Sequence, residues 1–245
     1  MIAIGLVGCE GKLAREILAL VNKLDDFYVK CAVTFPQSPK IGMELSTFTK
    51  YNKNSVIVTE ELLSCNNCDV LIDATNRDAF IEMNYKKYMK VKKPLLIATT
   101  GFSGDDMVKI RELADNIAIV KEANYSIELF FFIRAVKEYA RHSRSIDATI
   151  IEEHHKEKRD IPSGTALTIL EEIKKENKEL NINIVSVRAG AIHGEHRVLF
   201  ANNSGEEITF IHKVTSREVF ADGIIKSILP LLKKGKGLYG FADIL

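Results

Sequence analysis

The stretch Ile2-Ala3-Ile4-Gly5-Leu6-Val7-Gly8-Cys9-Glu10-Gly11-Lys12-Leu13-Ala14 decides how this chain folds. Residues 2–7 are an unbroken apolar run, the pattern of a strand covered on both faces. Beyond them Leu13, Ile17, Leu20, Val21 and Leu24 recur at helical spacing. Gly8 and Gly11 stand between the two patterns, where a tight strand-to-helix turn needs residues without a Cβ. The first turn of the helix offers unpaired N–H groups at its positive end, which suits a pyrophosphate. The spacing is G-x-x-G-x-x-A, not the fuller G-x-G-x-x-G, so its weight comes from its position after a strand and before a helix. An ordinary turn is the competing reading. A Walker A loop is not, because Lys12 lacks both the four-residue gap before it and a following Ser or Thr.

Outward from this turn the pattern repeats. Residues 28–34, 56–58, 70–73, 94–99 and 117–120 read as strands, and 78–90 and 105–115 as helices. Strands apolar on both faces, alternating with helices, predict an α/β fold with a parallel sheet of Rossmann type. The second strand closes on Val33-Thr34-Phe35 with no carboxylate to hold a ribose 2′-hydroxyl. The Thr34 hydroxyl can serve either nicotinamide cofactor, and Lys12 and Lys40 lie close by in sequence. NADH and NADPH are both expected to work, with a mild lean to NADPH. Ala98-Thr99-Thr100-Gly101 and Ala123-Asn124-Tyr125-Ser126 end later strands, where ligands bind in such sheets. Their small and hydrogen-bonding residues suit a nicotinamide-ribose pocket or ordinary turns equally.

The texture changes near Ser126. Residues 147–153, 184–188, 197–200 and 208–214 read as strands with little helix among the last three, which predicts a second α+β unit on a mixed or antiparallel sheet. A helix over 216–234, with Phe220, Ile224, Ile228 and Leu231 on its apolar face, closes the chain. Lys plus Arg number 34 against 33 Asp plus Glu, so no charge excess points to nucleic acid. No apolar run spans a bilayer, and residues 1–7 lack a basic leader and a cleavage site, so a cytoplasmic protein is expected. Cys65-Asn66-Asn67-Cys68 has the spacing of a zinc or redox half-site. A second ligand pair is missing and the motif precedes a strand, so no metal and four free thiols (Cys9, Cys31, Cys65, Cys68) are expected.

The densest polar cluster is Glu152-Glu153-His154-His155-Lys156-Glu157-Lys158-Arg159-Asp160-Ile161-Pro162-Ser163-Gly164-Thr165-Ala166. A strand runs in and a helix runs out. Ser163 is a natural N-cap, and Ser163, Gly164 and Thr165 place backbone N–H groups at the positive end of that helix. His154, His155 and Lys158 add cationic donors, with Arg217 from a distant segment, which suits a substrate carrying two carboxylates. Adjacent His154 and His155 on a strand point to opposite faces and do not chelate one metal. The competing reading is a solvated, charged loop capping a helix.

This cluster resembles the signature E-x-H-H-x-x-K-x-D-x-P-S-G-T-A of the 4-hydroxy-tetrahydrodipicolinate (dihydrodipicolinate) reductases. The likeness continues through Gly8, Thr99-Thr100-Gly101, Ala123-Asn124-Tyr125-Ser126, Arg188-Ala189-Gly190, Gly194-Glu195-His196, His212 and Ser216-Arg217 to Gly237-Leu238-Tyr239. The resemblance implies a dinucleotide-binding domain over 1–126 and 218–245, and a substrate-binding and tetramerisation domain over 127–217. It implies NAD(P)H-dependent reduction of 4-hydroxy-tetrahydrodipicolinate, with loss of water, in lysine and diaminopimelate biosynthesis by a homotetramer. By the same resemblance His154 is the catalytic acid/base and Lys158 the proton donor, with His155, Ser163, Gly164, Thr165 and Arg217 on the substrate. The cofactor would meet Gly8, Cys9, Glu10, Gly11, Lys12, Leu13, Thr34, Ala98, Thr99, Thr100, Ala123, Asn124 and Tyr125. Glu157 stands where its charge could moderate Lys156 and Lys158, and Glu128 and Phe130 follow Ser126 where the family has small or polar residues. The alternatives are another two-domain Rossmann reductase of amino-acid metabolism and a regulator that senses NAD(P) without turnover.

Overall fold

A computed structural model describes residues 1–143 and 147–245. The chain forms two units, Met1–Tyr125 with Phe220–Leu245 and Ser126–Val219. In the first, strands β1 (Ile2–Val7), β2 (Phe27–Val33), β3 (Val58–Thr59), β4 (Val70–Asp73), β5 (Leu95–Ile97) and β6 (Ala118–Lys121) alternate with helices α1 (Lys12–Lys23), α2 (Tyr85–Val91) and α3 (Gly104–Ala114). The second holds α4 (Ile127–His142), β7 (Asp147–His154), α5 (Gly164–Glu176), β8 (Asn181–Arg188), β9 (Gly194–Ala201) and β10 (Glu207–Val214). Helix α6 (Glu218–Leu232), in unit 1 from Phe220 onward, strand β11 (Gly237–Tyr239) and the short α7 (Phe241–Ile244) complete unit 1.

The first sheet runs β11-β6-β5-β4-β1-β2-β3, every pair parallel. The order reverses between β1 and β4, which makes the carboxyl end of β1 the switch point where such sheets bind ligands. Ala3, Ile4, Leu6 and Val7 are buried on successive positions because helices cover both faces. Each fully buried Leu or Ile contributes about 1.5–3 kcal/mol, so this strand anchors the turn that follows it. The helix expected over 78–90 forms as a π-helical segment, Ala79–Asn84, running into α2. In α6 the buried face is Ala221, Gly223, Ile224, Ile225, Ile228 and Leu231, and Phe220 is only half-buried.

The expectation of four free thiols is corrected. Cys31 on β2 and Cys65 in a 3-10 turn form a disulfide, with Cα atoms 5.5 Å apart, while Cys9 and Cys68 are free and buried. The fold closes a sequence separation of 34 residues that spacing could not reveal.

In the second unit the sheet order is β10-β9-β7-β8, with β7 and β8 parallel and the other pairs antiparallel, a mixed sheet as expected. Ala148, Ile150, Val198 and Phe200 pack under Val136 and Ala140 of α4 and Ile169 and Ile173 of α5. The alternate residues, among them Val185 and Ile211, face away from these helices and are exposed at 47% and 60%. No helix among the described residues is long and apolar enough to cross a membrane.

Candidate active site

In unit 1 the turn after β1 is fixed by backbone. Gly8 and Cys9 both donate to the Val33 carbonyl, at 2.8 and 3.1 Å, and Gly11 donates to Gly8 at 3.0 Å. Gly8 has φ +85°, and a Cβ there would lie 2.7 Å from the Ala74 carbonyl oxygen. Only glycine fits both the left-handed conformation and that approach. Gly11 is the N-cap of α1, with no side-chain cap and no acid in the first turn, so no side chain caps the first N–H groups of that helix. A cleft of about 340 Å³ opens beside it, lined in part by Gly8, Glu10, Gly11, Thr34, Phe35 and Thr75.

The absence of a carboxylate at the end of the second strand is also corrected. Glu10 reaches across from the glycine turn and accepts hydrogen bonds from the Thr34 hydroxyl and from the Ser38 hydroxyl at 2.5 Å. Its second oxygen pairs with Lys40 Nζ at 2.9 Å. The Thr34 hydroxyl expected to serve either cofactor is therefore committed to Glu10.

Three other residues expected at the cofactor are committed to the fold by their side chains. Cys9 is fully buried, its thiol pushed up to about 12 first by burial and then by the Glu10 charge. The Thr99 hydroxyl donates to buried Asp73 at 2.6 Å, alongside Tyr88 at 2.5 Å and Thr75 at 2.8 Å. Tyr125 is buried, and its hydroxyl lies 3.2 and 3.0 Å from the Ile97 and Val120 carbonyls. Thr100 is exposed and Ala98 half-buried. Asp73, an acid closing an apolar run, was the missed signal here: it clamps the ends of β4 and β5.

In unit 2 the cluster is built around Glu152, whose position on β7 puts it on the same face as His154. The Glu152 side chain is fully buried. One oxygen meets His154 Nδ1 at 2.5 Å; the other accepts from Arg188 Nη2 at 2.8 Å and from the Ser163 N–H at 3.3 Å. Burial alone would raise the Glu152 pKa, but Arg188, Ser186 and His154 hold it down at about 2. A permanent carboxylate on Nδ1 fixes the His154 tautomer and leaves Nε2 as the working nitrogen. Burial keeps His154 below its ordinary pKa, and the Lys158 and Arg188 charges assist against the pull of Glu152. His154 is thus a neutral imidazole at neutral pH. Gly194 lies against it: a Cβ there would stand 3.2 Å from Nε2.

Arg188 also donates to the Asp160 carbonyl at 2.6 Å, and Lys156 N–H to the Gly190 carbonyl at 3.2 Å. The Arg188-Ala189-Gly190 turn is therefore the wall against which the basic loop is held. Lys158 pairs with Asp160 at 2.8 Å. Ser163 caps α5 through the Ala166 N–H at 3.2 Å, as expected, while Gly164 is exposed and Thr165 half-buried. A cavity of about 360 Å³ is lined by Arg217 with His155, Lys156, Glu157, Gly190 and His193. Glu128 and Phe130 lie in the first turn of α4, not in a loop.

His196, quoted only for its likeness, turns out to be a central residue. It sits beside Glu152 in the register and beside His212 on β10. The Ser163 hydroxyl lies 3.4 Å from its Nε2, and its Nδ1 is buried without a protein partner among the described residues. Burial, then the neighbouring charges of His154 and His212, push its pKa down to about 3. The fold therefore holds His196 neutral, whereas an unfolded chain protonates it near 6.5. Stability from this group is complete above pH 6.5 and is lost as pH falls towards 3. Over the two units from pH 6.5 to 4.5 the loss is on the order of 2–3 kcal/mol, at about 1.4 kcal/mol per unit. The thermal midpoint followed by circular dichroism is expected to drop across that window, and His196→Asn to flatten the drop. An unchanged slope in the variant would assign the acid lability elsewhere.

A parallel sheet with a glycine cradle at its switch point, joined to a second unit rich in anion-seeking groups, is the organisation of a two-domain oxidoreductase. Comparison with known proteins makes the class specific. The family model for the dihydrodipicolinate reductase N-terminus matches residues 2–125, and that for the C-terminus matches residues 129–245. The chain belongs to the dihydrodipicolinate reductase family. It is 31% identical to the 4-hydroxy-tetrahydrodipicolinate reductase of Methanocaldococcus jannaschii, over 100% of this chain and 97% of that protein. Identity to the enzyme of the same name from Caldanaerobacter subterraneus subsp. tengcongensis is 34%, over 100% and 98%. Among solved structures, a dipicolinate-bound dihydrodipicolinate reductase from Paenisporosarcina sp. TG-14 shares the fold with a TM-score of 0.81 at 23% identity, over 99% of this chain and 98% of that one.

Proposed function

We propose that this protein is a cytoplasmic, homotetrameric 4-hydroxy-tetrahydrodipicolinate reductase of lysine and diaminopimelate biosynthesis. Residues 1–126 and 218–245 bind NAD(P)H in this reading, and residues 127–217 bind the dicarboxylate and carry the tetramer contact. The observation that carries it is the Glu152–His154 pair beside a capped helix end and a cationic loop, in a chain matched by both family models. The uncovered face of the second sheet, with exposed Val185 and Ile211, is the surface that supports assembly.

The residues of unit 1 fit a dinucleotide. Gly8 leaves a hollow that any Cβ would fill, and the uncapped start of α1 can hold a pyrophosphate through Glu10, Gly11, Lys12 and Leu13. Thr34, Ala98, Thr100, Ala123 and Asn124 would flank it; Cys9, Thr99 and Tyr125 contribute backbone or support, since their side chains are engaged elsewhere. When bound, the reduced nicotinamide supplies a hydride.

The work of unit 2 is binding and proton transfer. Thr165 offers its N–H and hydroxyl at the start of α5 to one carboxylate beside Gly164, whose N–H also serves Asp160, with Ser163 holding that helix end in place. His155 and Arg217 supply the cavity's donors for the rest of the substrate. Reduction of an unsaturated imine leaves an electron pair on a neighbouring carbon, and that carbon needs a proton. Lys158 is the donor, held ready by its pairing with Asp160. His154 is the acid/base, its neutral ring oriented by Glu152 as a buried carboxylate orients a catalytic imidazole.

The test is loss of NAD(P)H absorbance with fresh substrate, made by coupling pyruvate and aspartate semialdehyde through the preceding synthase. Pyridine-2,6-dicarboxylate is expected to inhibit competitively against that substrate, because its two carboxylates match the two groups of donors. Inhibition competitive only with NAD(P)H would show the substrate site to be misplaced.

A further inference from the structure

The most informative group outside the proton-transfer cluster is the carboxylate of Glu10. It comes from the glycine turn, yet it lies at the end of β2, bonded to the hydroxyl of Thr34, the first residue beyond that strand. Ser38, in the loop that follows, bonds the same oxygen at 2.5 Å, and Lys40 pairs with the other at 2.9 Å. Its side chain is 20% exposed and lines the cleft that also holds Gly8 and Gly11. Burial raises its pKa, but the Ser38 and Thr34 hydroxyls and the Lys40 ammonium outweigh this and hold it below the usual carboxylate range. At neutral pH it is a fixed anion.

A carboxylate has about four lone-pair sites. Thr34, Ser38 and Lys40 take three, leaving one for a further donor. In parallel dinucleotide-binding sheets an acid beyond the second strand accepts the adenosine ribose 2′-hydroxyl, and its charge repels a 2′-phosphate. The strand of this chain carries no such acid, and a residue 24 positions earlier reaches the same place. Lys40 does not reverse the sign of the site. Its ammonium is paired with Glu10 at 2.9 Å, so a 2′-phosphate sharing its remaining N–H donors would lie beside the carboxylate and be repelled by it.

We infer that Glu10 is the cofactor-selecting residue of this protein: it accepts the ribose 2′-hydroxyl and favours NADH over NADPH. This replaces the lean to NADPH expected from the sequence, and it rests on the reading of unit 1 as the dinucleotide site. The test is equilibrium binding of each cofactor to the full-length protein, by nicotinamide fluorescence or calorimetry, without substrate. Wild type is expected to bind NADH at least tenfold more tightly than NADPH. Glu10→Gln removes the charge and keeps the shape, and is expected to tighten NADPH about tenfold while changing NADH by threefold or less. Lys40→Met, a second variant, leaves the carboxylate without its counter-ion and is expected to widen the NADH preference. Equal or tighter binding of NADPH by wild type overturns the inference, as does an unchanged ratio in Glu10→Gln. Failure to bind either cofactor removes the dinucleotide reading along with it. NADH binding without turnover of the dicarboxylate would remove only the proposed reaction.

Discussion

Lys158→Ala is expected to lower turnover by ~10²-fold or more, the scale of a lost positioned proton donor, while the dissociation constant of the reduced cofactor stays within twofold of wild type. Lys158 is only 24% exposed, follows the strand that carries His154, and is paired with Asp160 at 2.8 Å. The Lys158 ammonium and the Gly164 N–H both hold the Asp160 carboxyl below its usual range, so lysine, acid and helix end form one charge-matched group. Removing the ammonium leaves Asp160 and the α5 N-terminus in place. What is lost is the movable proton. Steady-state kinetics at saturating cofactor, with circular dichroism to confirm folding, decide the matter. Turnover near wild type would take Lys158 out of the chemistry, and an equal loss of cofactor affinity would mean that the variant disturbs more than proton delivery.

Residues 2–14 were legible because strand, turn and helix each obey a local rule: an apolar run, glycines at the bend, then a 3.6-residue period. The mixed sheet of unit 2 was legible for the same reason, since β7 alternates strictly between buried and half-buried residues through most of its length. Helix α4 was not. Its consecutive Phe130, Phe131 and Phe132 blur the helical period, and only Leu129, Val136 and Ala140 are buried in it. Strand β11 is three residues at the sheet edge, too short for any period to appear. The proton-transfer site was half legible. The signature displayed Glu152, His154, Lys158 and Ser163, but the burial of Glu152 on β7 that turns it toward His154 shows only in the structure. Long-range pairings lay beyond sequence reasoning altogether. Glu10 with Thr34, Cys31 with Cys65 and Arg188 with Glu152 join residues 24, 34 and 36 positions apart. Each depends on strand order and side-chain reach, and local periodicity encodes neither.

Gly223→Ala is expected to destabilise unit 1 severely, against the usual trend for a helical glycine. In an open helix, alanine gains up to about 1 kcal/mol over glycine. Gly223 sits within α6, and a Cβ built there falls 1.7 Å from the Tyr125 carbonyl oxygen and 2.9 Å from its carbonyl carbon. A flexible side chain could turn aside from such a contact, but a backbone carbonyl cannot. Tyr125 is itself pinned, with its hydroxyl at the Ile97 and Val120 carbonyls and its ring edge-on to Phe241 at 5.7 Å. The helix must therefore withdraw by an ångström or more, pulling Ile224 and Ile228, both fully buried, out of their packing. A loss of about 3 kcal/mol or more follows from overpacking against a rigid neighbour. At about 2–4 °C per kcal/mol for a chain of this size, the thermal midpoint is expected to fall by roughly 6–12 °C, or the variant to be recovered insoluble. Gly104→Ala is the control: it is also helical, nothing lies within 4 Å of its Cβ position, and it is expected to leave the midpoint unchanged or slightly raised. If both variants behave alike, the close approach of α6 to Tyr125 is not what makes glycine necessary at position 223.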